Sequence, residues 1–261
     1  MWIDKEAYTS HIKDGEKVTK MRRILDKIEI VSNNYSIQAT DFLDPYEVHL
    51  SKSILNRFDD INYLEYGGYD NCERRIILIF PSFIVVDKPE DYLACIKVIG
   101  DLETLSHKNF LGALLNLGII RDKLGDILVV RDYAYIIVKE EIGDFILYNL
   151  EKIGKQNVYT EIESFSKIIV PEIKYKEKKL FLTSLRLDLV LSSTYNISRK
   201  DSMDIIKKGF VKINWKPIDK PAKEVSEGDV ISVRGYGRFI LHSIDGLSRK
   251  GRFMSNIRIL I

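Results

Sequence analysis

Cysteine is scarce in this sequence of 261 residues, and the two cysteines that occur form no motif. Cys72 and Cys95 lie far apart and match no spacing typical of a metal site or a redox centre. Structural disulfides are rare in proteins of the cytoplasm. We therefore expect two reduced thiols with a structural role.

Long apolar runs are also missing. The longest, Ile76 to Val86, is interrupted by Pro81 and Ser82 and is too short to cross a bilayer. The first residues, Met1 to Glu6, alternate in charge and lack the apolar core of a signal peptide. These absences predict a cytoplasmic protein with no membrane partner.

Histidine and glycine form none of the patterns that catalysis or cofactor binding requires. The four histidines, His11, His49, His107 and His242, are scattered and show no ligand spacing. No glycine-rich loop follows a predicted strand, so methyltransferase and NTPase functions lack support. We expect no metal, no cofactor and no catalytic residue.

Charge, in contrast, is abundant and unevenly distributed. Net charge is +2 over the whole chain. From Phe181 onward there are 15 Lys and Arg against 8 Asp and Glu, whereas the preceding residues carry 25 against 30. A basic module attached to an acidic body is typical of proteins that bind a polyanion such as RNA.

Residues 1–74 have the pattern of a helical region. Between Glu16 and Val31, apolar residues recur every three or four positions, as on one face of a helix. Asp44-Pro45 is a typical helix start and predicts a second helix from Tyr46 to about Phe58. Gly67-Gly68 ends the pattern. No chemistry follows from this region.

Residues 75–172 change period and predict an α+β domain. Strands are expected at Ile76–Val86, Leu93–Ile99, Asp126–Val130, Tyr133–Val138 and Asn157–Ile162, and helices at Phe110–Leu117 and Glu140–Ile153. From Leu93 the order is β-α-β-β-α-β, the split βαβ arrangement. The Lys- and Glu-rich stretch Lys174–Lys179 has little periodicity, and we interpret it as a linker.

Residues 181–261 predict a small C-terminal domain with two helices and several short strands. A first helix contains Leu185 to Leu191, and Ser198 is a good N-cap for a second helix that ends at Gly209. Strands are expected at Phe210–Asn214 and Val230–Val233, and two more near the C-terminus at Ile240–Ile244 and Ile257–Ile261.

The candidate binding residues lie at the ends of the predicted helices and strands of this C-terminal domain. Arg199 and Lys200 occupy the first turn of the second helix, where free backbone N–H groups already favour phosphate. The full set of candidate RNA contacts is Arg186, Asp188, Ser198, Arg199, Lys200, Lys207, Lys208, Lys212, Asn214 and Lys216. Asp188 is expected to hold Arg186 or Arg199 in place by a charge-assisted bond.

These residues resemble a known RNA-binding family. Arg186-Leu187-Asp188, Ser198-Arg199, Lys207 to Asn214 and Gly228 to Ile231, in this order, resemble the alpha-L fold of the S4 domain. Two positions depart from the family pattern. Ser202 stands where a small residue such as Ala is usual, and Trp215 stands where Gly is usual, so Trp215 either stacks on a base or packs on its own sheet.

Further resemblance covers most of the chain. His107 to Ile119, Arg121 to Ile127, Tyr66 to Tyr69 and Glu73 to Arg75 resemble the characteristic segments of YlmH-type proteins. The resemblance implies an α+β protein with a helical N-terminal region, a middle domain like an RNA-recognition motif (RRM) and a C-terminal alpha-L (S4-like) domain. It also implies a bacterial, non-catalytic factor of the large ribosomal subunit that contacts ribosomal RNA and peptidyl-tRNA during rescue of stalled complexes. The family has also been linked to cell division. We expect a monomer.

The middle domain offers a second, weaker site. Arg131 to Val138 resembles the longer aromatic motif of RNA-recognition domains, with Tyr133 and Tyr135 as possible stacking platforms. Asp132 and Val138 depart from that motif, and alternating tyrosines are also common in ordinary sheets. Arg121 and Lys123 are candidates for a phosphate or protein contact.

Two other functions stay open. An RNA-modifying enzyme could use the same C-terminal domain as its RNA handle, because pseudouridine synthases that carry such domains have a catalytic aspartate after Arg-Leu. Here, however, Asp188 belongs to the binding domain itself, and no second Arg-Leu-Asp occurs. The other function is that of a division-associated scaffold for which RNA binding is incidental.

Overall fold

The computed structural model describes residues 2–261, which form two compact units. The first unit ends at Pro171, and the second is Glu172–Ile261. The first unit contains the N-terminal and middle regions of the sequence. The second contains the basic C-terminal domain together with the segment that precedes it.

The N-terminal region is helical, as predicted, and also contains a small sheet. Its helices are α1 (Lys5–Thr9), α2 (Gly15–Asn34) and α3 (Pro45–Leu55), and its strands are β1 (Gln38–Ala39), β2 (Ile61–Tyr66) and β3 (Ile76–Pro81), in the antiparallel order β1-β3-β2. Asp14 caps α2 by accepting hydrogen bonds from the backbone of Glu16 and Lys17. Asp44 and Glu47 form a capping box at the start of α3. The predicted helices are therefore confirmed, but the sheet was not anticipated.

Strand β3 differs from its prediction in length and in partners. It ends at Pro81 instead of Val86, and it pairs along its whole length with β2. All six of its residues are buried, because Ile77 and Ile79 pack with the N-terminal helices while Ile76 and Leu78 face a cluster that includes residues of the middle region. Because β3 is buried on both faces, residues 76–80 are all apolar instead of alternating with polar residues. The predicted division into residues 1–74, 75–172 and 181–261 stays a prediction.

The middle region has the predicted β-α-β-β-α-β order with one additional short strand, Lys152–Ile153. Its elements are β4 (Leu93–Gly100), α4 (His107–Asn116), β5 (Leu124–Val129), β6 (Tyr133–Lys139), α5 (Gly143–Asn149), β7 (Lys152–Ile153) and β8 (Gln156–Ile162). The sheet order is β5-β6-β4-β8-β7, with antiparallel pairs throughout. Both helices pack on one face of the sheet. Helix α5 ends at Asn149, earlier than predicted, because β7 and β8 form a hairpin there.

The second unit is a six-stranded antiparallel sheet with two helices on one face. Its elements are β9 (Tyr175–Leu182), α6 (Leu187–Tyr195), α7 (Arg199–Lys207), β10 (Val211–Ile213), β11 (Lys216–Ile218), β12 (Val230–Val233), β13 (Gly237–Leu247) and β14 (Phe253–Leu260), with sheet order β11-β10-β12-β13-β14-β9. Leu187, Val190, Leu191 and Ile206 of the helices meet the inner face of the sheet in one core. The predicted S4-like fold is confirmed.

The interpretation of Lys174–Lys179 as a linker is wrong. Residues 175–179 belong to β9, an edge strand that pairs with β14 from Tyr175 to Leu182. The inward position at its centre is occupied by Lys178. Its ammonium donates hydrogen bonds to the carbonyl oxygens of Ser193 (2.8 Å) and Thr194 (2.9 Å) at the end of α6. Inward positions of a strand are usually apolar, and the lysine at this one conceals the alternation of apolar and polar residues by which a strand is recognised in a sequence.

Candidate nucleic-acid interface

The centre of the candidate interface is a fully buried carboxylate that holds two arginines. Asp188 accepts hydrogen bonds from Nε and Nη2 of Arg186 at 3.0 and 3.1 Å, and from Nε of Arg199 at 3.0 Å. Burial alone would raise the pKa of Asp188, but the bonds from both guanidinium groups hold its pKa below the ordinary value. The predicted bond is confirmed, with both arginines as partners.

This arrangement orients the two guanidinium groups at the starts of the two helices. Arg186 immediately precedes α6, and Arg199 is the first residue of α7. The side chain of Arg199 stays 53% exposed while its Nε is bound. Its terminal nitrogens can therefore grip a phosphate in the bidentate manner that favours arginine over lysine.

The two helices are also joined beneath the arginines. The hydroxyl of the fully buried Ser202 donates a hydrogen bond to the carbonyl oxygen of Asp188 (2.9 Å) or to that of Arg199 (2.8 Å). A hydroxyl in place of the usual small residue thus adds a link between α6 and α7. The position of Arg199 is therefore fixed by the buried Ser202 as well as by its ion pair with Asp188.

The start of α7 has the predicted cap. Ser198 Oγ accepts a hydrogen bond from the backbone N–H of Asp201 (3.0 Å) and lies 2.7 Å from its carboxylate. The hydroxyl of Ser198 therefore has a structural role. Lys200, in the first turn, is exposed. An RNA contact by either residue stays a prediction.

The remaining predicted lysines are exposed at the end of α7 and on the hairpin of β10 and β11. Lys207 and Lys208 end α7, followed by Gly209 with a φ of 72° at the C′ position. Lys212 lies on the outer face of β10, and Lys216 begins β11. All four are exposed and stay predicted RNA contacts.

Asn214 and Trp215 form the two-residue turn between β10 and β11. Both have positive φ, 48° and 63°, which the primed hairpin turns require. Asn214 donates to the carboxylate of Asp229 (2.7 Å) and accepts from the backbone N–H of Val230 (2.9 Å). Both polar atoms of the Asn214 side chain are therefore bonded within the protein. Its contact with RNA stays a prediction.

The sequence analysis missed a cationic residue beside this turn. The register pairs Lys212 with Ser232 and Ser232 with Arg238, which places the three side chains in one row on the outer face of the sheet. The guanidinium carbon of Arg238 lies 5.1 Å from the centre of the Trp215 ring. The sequence could have indicated this residue: Arg238 immediately precedes the buried Phe239 in an alternating strand, so its side chain points to the outer face.

The candidate contacts of the middle region are bound within the protein. Arg121 donates hydrogen bonds to the carbonyl oxygens of Leu124 (3.0 Å) and Gly125 (3.2 Å), and burial lowers its pKa to about 10. Lys123 forms ion pairs with Asp41 (2.7 Å) and Glu141 (2.5 Å). These bonds weigh against a phosphate contact by either residue, and the contact stays a prediction.

The two tyrosines of β6 differ in exposure. Tyr135 is 3% exposed, packs in a small cluster with Phe165 and Ile168, and donates a hydrogen bond to the carbonyl oxygen of Lys167 (3.2 Å). Tyr133 is half-buried, and its ring meets that of Tyr135 edge-on. The covered ring of Tyr135 presents no face to a base, which weighs against the predicted stacking.

The segments that suggested YlmH-type proteins meet inside the first unit. The Asp126 carboxylate accepts hydrogen bonds from the Tyr69 hydroxyl (2.7 Å) and from the backbone N–H of Glu73 (2.6 Å) and Arg74 (3.1 Å). The buried Arg74 in turn donates to the carbonyl oxygens of Leu124 (2.8 Å) and Phe42 (3.0 Å). These hydrogen bonds join the N-terminal and middle regions and indicate a structural role.

The part of the chain that the structure describes contains neither a metal site nor a membrane-spanning helix. Within residues 2–261, no group of three or more His, Cys, Asp or Glu side chains is placed to hold a metal ion. No helix in this range is long and apolar enough to span a membrane. Cys72 and Cys95 are buried free thiols.

Comparison with known proteins decides the family. Three family models match: the N-terminal region of YlmH over residues 16–83, the putative RNA-binding domain in YlmH over residues 90–167, and the S4 domain over residues 185–231. "Ribosome-associated protein quality control protein P2" of Bacillus subtilis (strain 168) is 33% identical over 245 residues, covering 93% of this chain and 95% of the relative. The chain belongs to the YlmH family.

Two more similarities agree with this membership. "Small ribosomal subunit protein uS4" of Desulfotalea psychrophila is 28% identical over 121 residues, which is 43% of this chain and 58% of that protein. The solved structure "Cell division protein ylmH from Streptococcus pneumoniae" has a TM-score of 0.53 and 21% identity, covering 60% of this chain and 96% of that one. The solved structure, at 21% identity, shows the fold alone. The family models and the Bacillus subtilis relative confirm the YlmH resemblance found in the sequence.

Proposed function

We propose that this YlmH-family protein is a non-enzymatic, cytoplasmic factor that docks on the large ribosomal subunit. In this proposal the second unit contacts ribosomal RNA and peptidyl-tRNA while the nascent chain of a stalled complex is processed, and the protein acts as a monomer. The name of the Bacillus subtilis relative, which concerns ribosome-associated quality control, supports this role.

The observation that carries the proposal is the pair of arginines on Asp188. One buried carboxylate fixes Arg186 and Arg199 at the starts of two helices, so neither guanidinium has to be ordered when it meets a phosphate. The surrounding unit, residues 172–261, carries 19 Lys and Arg against 10 Asp and Glu. This excess attracts RNA before any specific contact forms.

The enzymatic alternative is less well supported. A catalytic aspartate must reach its substrate, whereas Asp188 is fully buried and both of its carboxylate oxygens are bonded to guanidinium nitrogens. Mass mapping of ribosomal RNA from a deletion strain distinguishes the two functions. A missing modification would favour the enzyme, and an unchanged map favours the binding factor.

Co-sedimentation with purified large subunits tests the proposal. The full-length protein is expected to pellet with the subunits, and Arg199→Ala is expected to weaken pelleting about 10-fold or more. Arg22→Ala, which removes an exposed arginine from α2 of the first unit, is the matched control. A truncation should end at Pro171, because removal from residue 181 would leave β9 without its partner β14. Full binding by the truncated protein would contradict docking through the second unit and favour a scaffold role.

A further inference from the structure

A second cationic site lies in the first unit and contains no residue of the S4 domain. A cavity of about 40 Å³ opens beside α2 and is lined by Lys20, Arg23, Lys27, Thr40, Asp41 and Asp122, among others. A water molecule needs roughly 10–15 Å³, so the cavity has room for about three water-sized groups or one tetrahedral anion.

The carboxylates that line this cavity are already paired. Asp122 binds the ammonium of Lys20 at 2.7 Å. Asp41 binds that of Lys123, also at 2.7 Å. Both acidic groups are therefore paired with cations other than Arg23 and Lys27.

Arg23 and Lys27 are the cations that have no such partner. Among residues 2–261, neither forms an ion pair, although they lie one helical turn apart on α2. Arg23 is exposed and Lys27 is half-buried, so both can reach a ligand at the mouth of the cavity.

A buried ammonium adds to this positive charge. Lys139 is only 7% exposed, and its Nζ donates a hydrogen bond to the carbonyl oxygen of Thr40 (3.2 Å), a lining residue. No carboxylate in the described part of the chain lies within ion-pair distance of this Nζ. Burial lowers the pKa of Lys139 to about 8; the charges of Glu141 and Asp41 oppose this shift in part, and those of Lys123 and Lys27 add to it. A bound anion would relieve this unfavourable environment.

We propose that the cavity between α2 and residues 40–43 binds a phosphate group, with Arg23 and Lys27 as the gripping residues and Lys139 as the buried charge behind them. The phosphate belongs either to an RNA backbone or to a free phosphate compound. If it belongs to RNA, the inference rests on the proposed function, because the first unit would then make a second backbone contact on the ribosome.

The test uses the full-length protein with two double variants of equal charge change. Arg23→Gln/Lys27→Gln alters the cavity, and Lys13→Gln/Arg22→Gln removes two exposed cations nearby. Circular dichroism and thermal melting confirm that both variants fold. The first probe is inorganic phosphate, observed through the side-chain NMR signals of Lys139. Saturable shifts and a raised pKa of Lys139 are expected in the wild type and the control, and both effects should be lost in the cavity variant.

The second probe, the large ribosomal subunit, identifies the source of the phosphate. An RNA contact predicts an affinity about 10-fold lower for the cavity variant than for the control, and a salt slope smaller by roughly 0.7 to 0.9, the contribution of one phosphate. Phosphate binding with unchanged ribosome affinity would support a free phosphate compound as the ligand. Absence of both effects would overturn the site. Normal ribosome binding by Arg199→Ala would instead count against docking through the S4 domain, and the phosphate probe would still decide on the cavity.

Discussion

The two units use charged side chains in opposite ways. In the first unit some cations are buried: Lys17 binds Asp44 (3.1 Å) and Glu47 (2.6 Å), and Arg74 donates to backbone carbonyls. In the second unit a buried carboxylate, Asp188, holds two arginines that remain partly exposed. Charge thus joins segments in the first unit and is displayed to a ligand in the second.

Net charge follows the same division. The first unit, through Pro171, carries 21 Lys and Arg against 28 Asp and Glu, whereas the second carries 19 against 10. An acidic body discourages non-specific binding to RNA, and a basic unit attracts it. The comparison therefore predicts that substitutions at the buried charges of the first unit alter stability with little effect on RNA affinity, and that the reverse holds at the surface of the second.

The largest effect is expected in the first unit, at Asp126. Asp126→Ala removes the acceptor for the Tyr69 hydroxyl and for two backbone N–H groups, so we expect a loss of about 4 kcal/mol in the free energy of unfolding. Urea denaturation measures the loss. The RNA affinity of the folded variant should match that of the wild type. A large fall in that affinity would mean that the first unit takes part in docking through this joint.

A substitution at Asp188 should affect stability and binding together. Asp188→Asn leaves Arg186 and Arg199 without their anion, and we expect a stability loss of about 3 kcal/mol together with weaker RNA binding. The effect should depend on pH. Because the folded state lowers the pKa of Asp188, its contribution is complete above the unfolded pKa of about 3.9 and is lost as the pH falls through the folded value. Wild type and variant should therefore converge in acid, and a difference independent of pH would contradict the ion-pair explanation.

Arg199 should influence binding much more than folding. Arg199→Ala is expected to cost about 2 kcal/mol of RNA affinity, the size of a lost charged hydrogen bond. Arg199→Lys keeps the charge but not the planar fork, and it should recover only part of the loss. Filter binding measures both variants, with melting curves as the control. Unfolding of Arg199→Ala would mean that the residue is structural.

The smallest effect is expected at Tyr135. Tyr135→Phe removes the hydrogen bond to Lys167 and should cost about 1 kcal/mol of stability with no change in RNA affinity. Leu at both Tyr133 and Tyr135 should likewise leave binding unchanged. If either variant binds RNA less well while remaining folded, the sheet of the middle region stacks on bases after all.

Local signals in the sequence predicted much of the fold. Ser198, Gly209 and Asp44-Pro45 mark helix ends by chemistry that acts within a few residues, and the structure has helix ends at all three places. The sequence also predicted that Asp188 binds Arg186 or Arg199; Arg186 is two residues away, whereas the bond to Arg199 spans 11 residues. The resemblance then supplied the order of the three regions.

The parts that were missed depend on contacts between distant residues. Strand β9 was hidden because its inward Lys178 is satisfied by carbonyl oxygens at the end of α6. The burial of Tyr135 depends on Phe165, and the row from Lys212 to Arg238 depends on strand register. None of these contacts is visible as a local pattern.

The salt dependence of large-subunit binding tests the central claim most directly. If the arginines and lysines of the second unit neutralise about five phosphates, the logarithm of affinity should fall with the logarithm of salt concentration with a slope of roughly −3.5 to −4.5. Arg199→Ala should reduce that slope by about one contact, whereas Arg22→Ala should leave it unchanged. A flat salt response, or equal slopes for wild type and Arg199→Ala, would contradict docking through the displayed charges of the S4 domain.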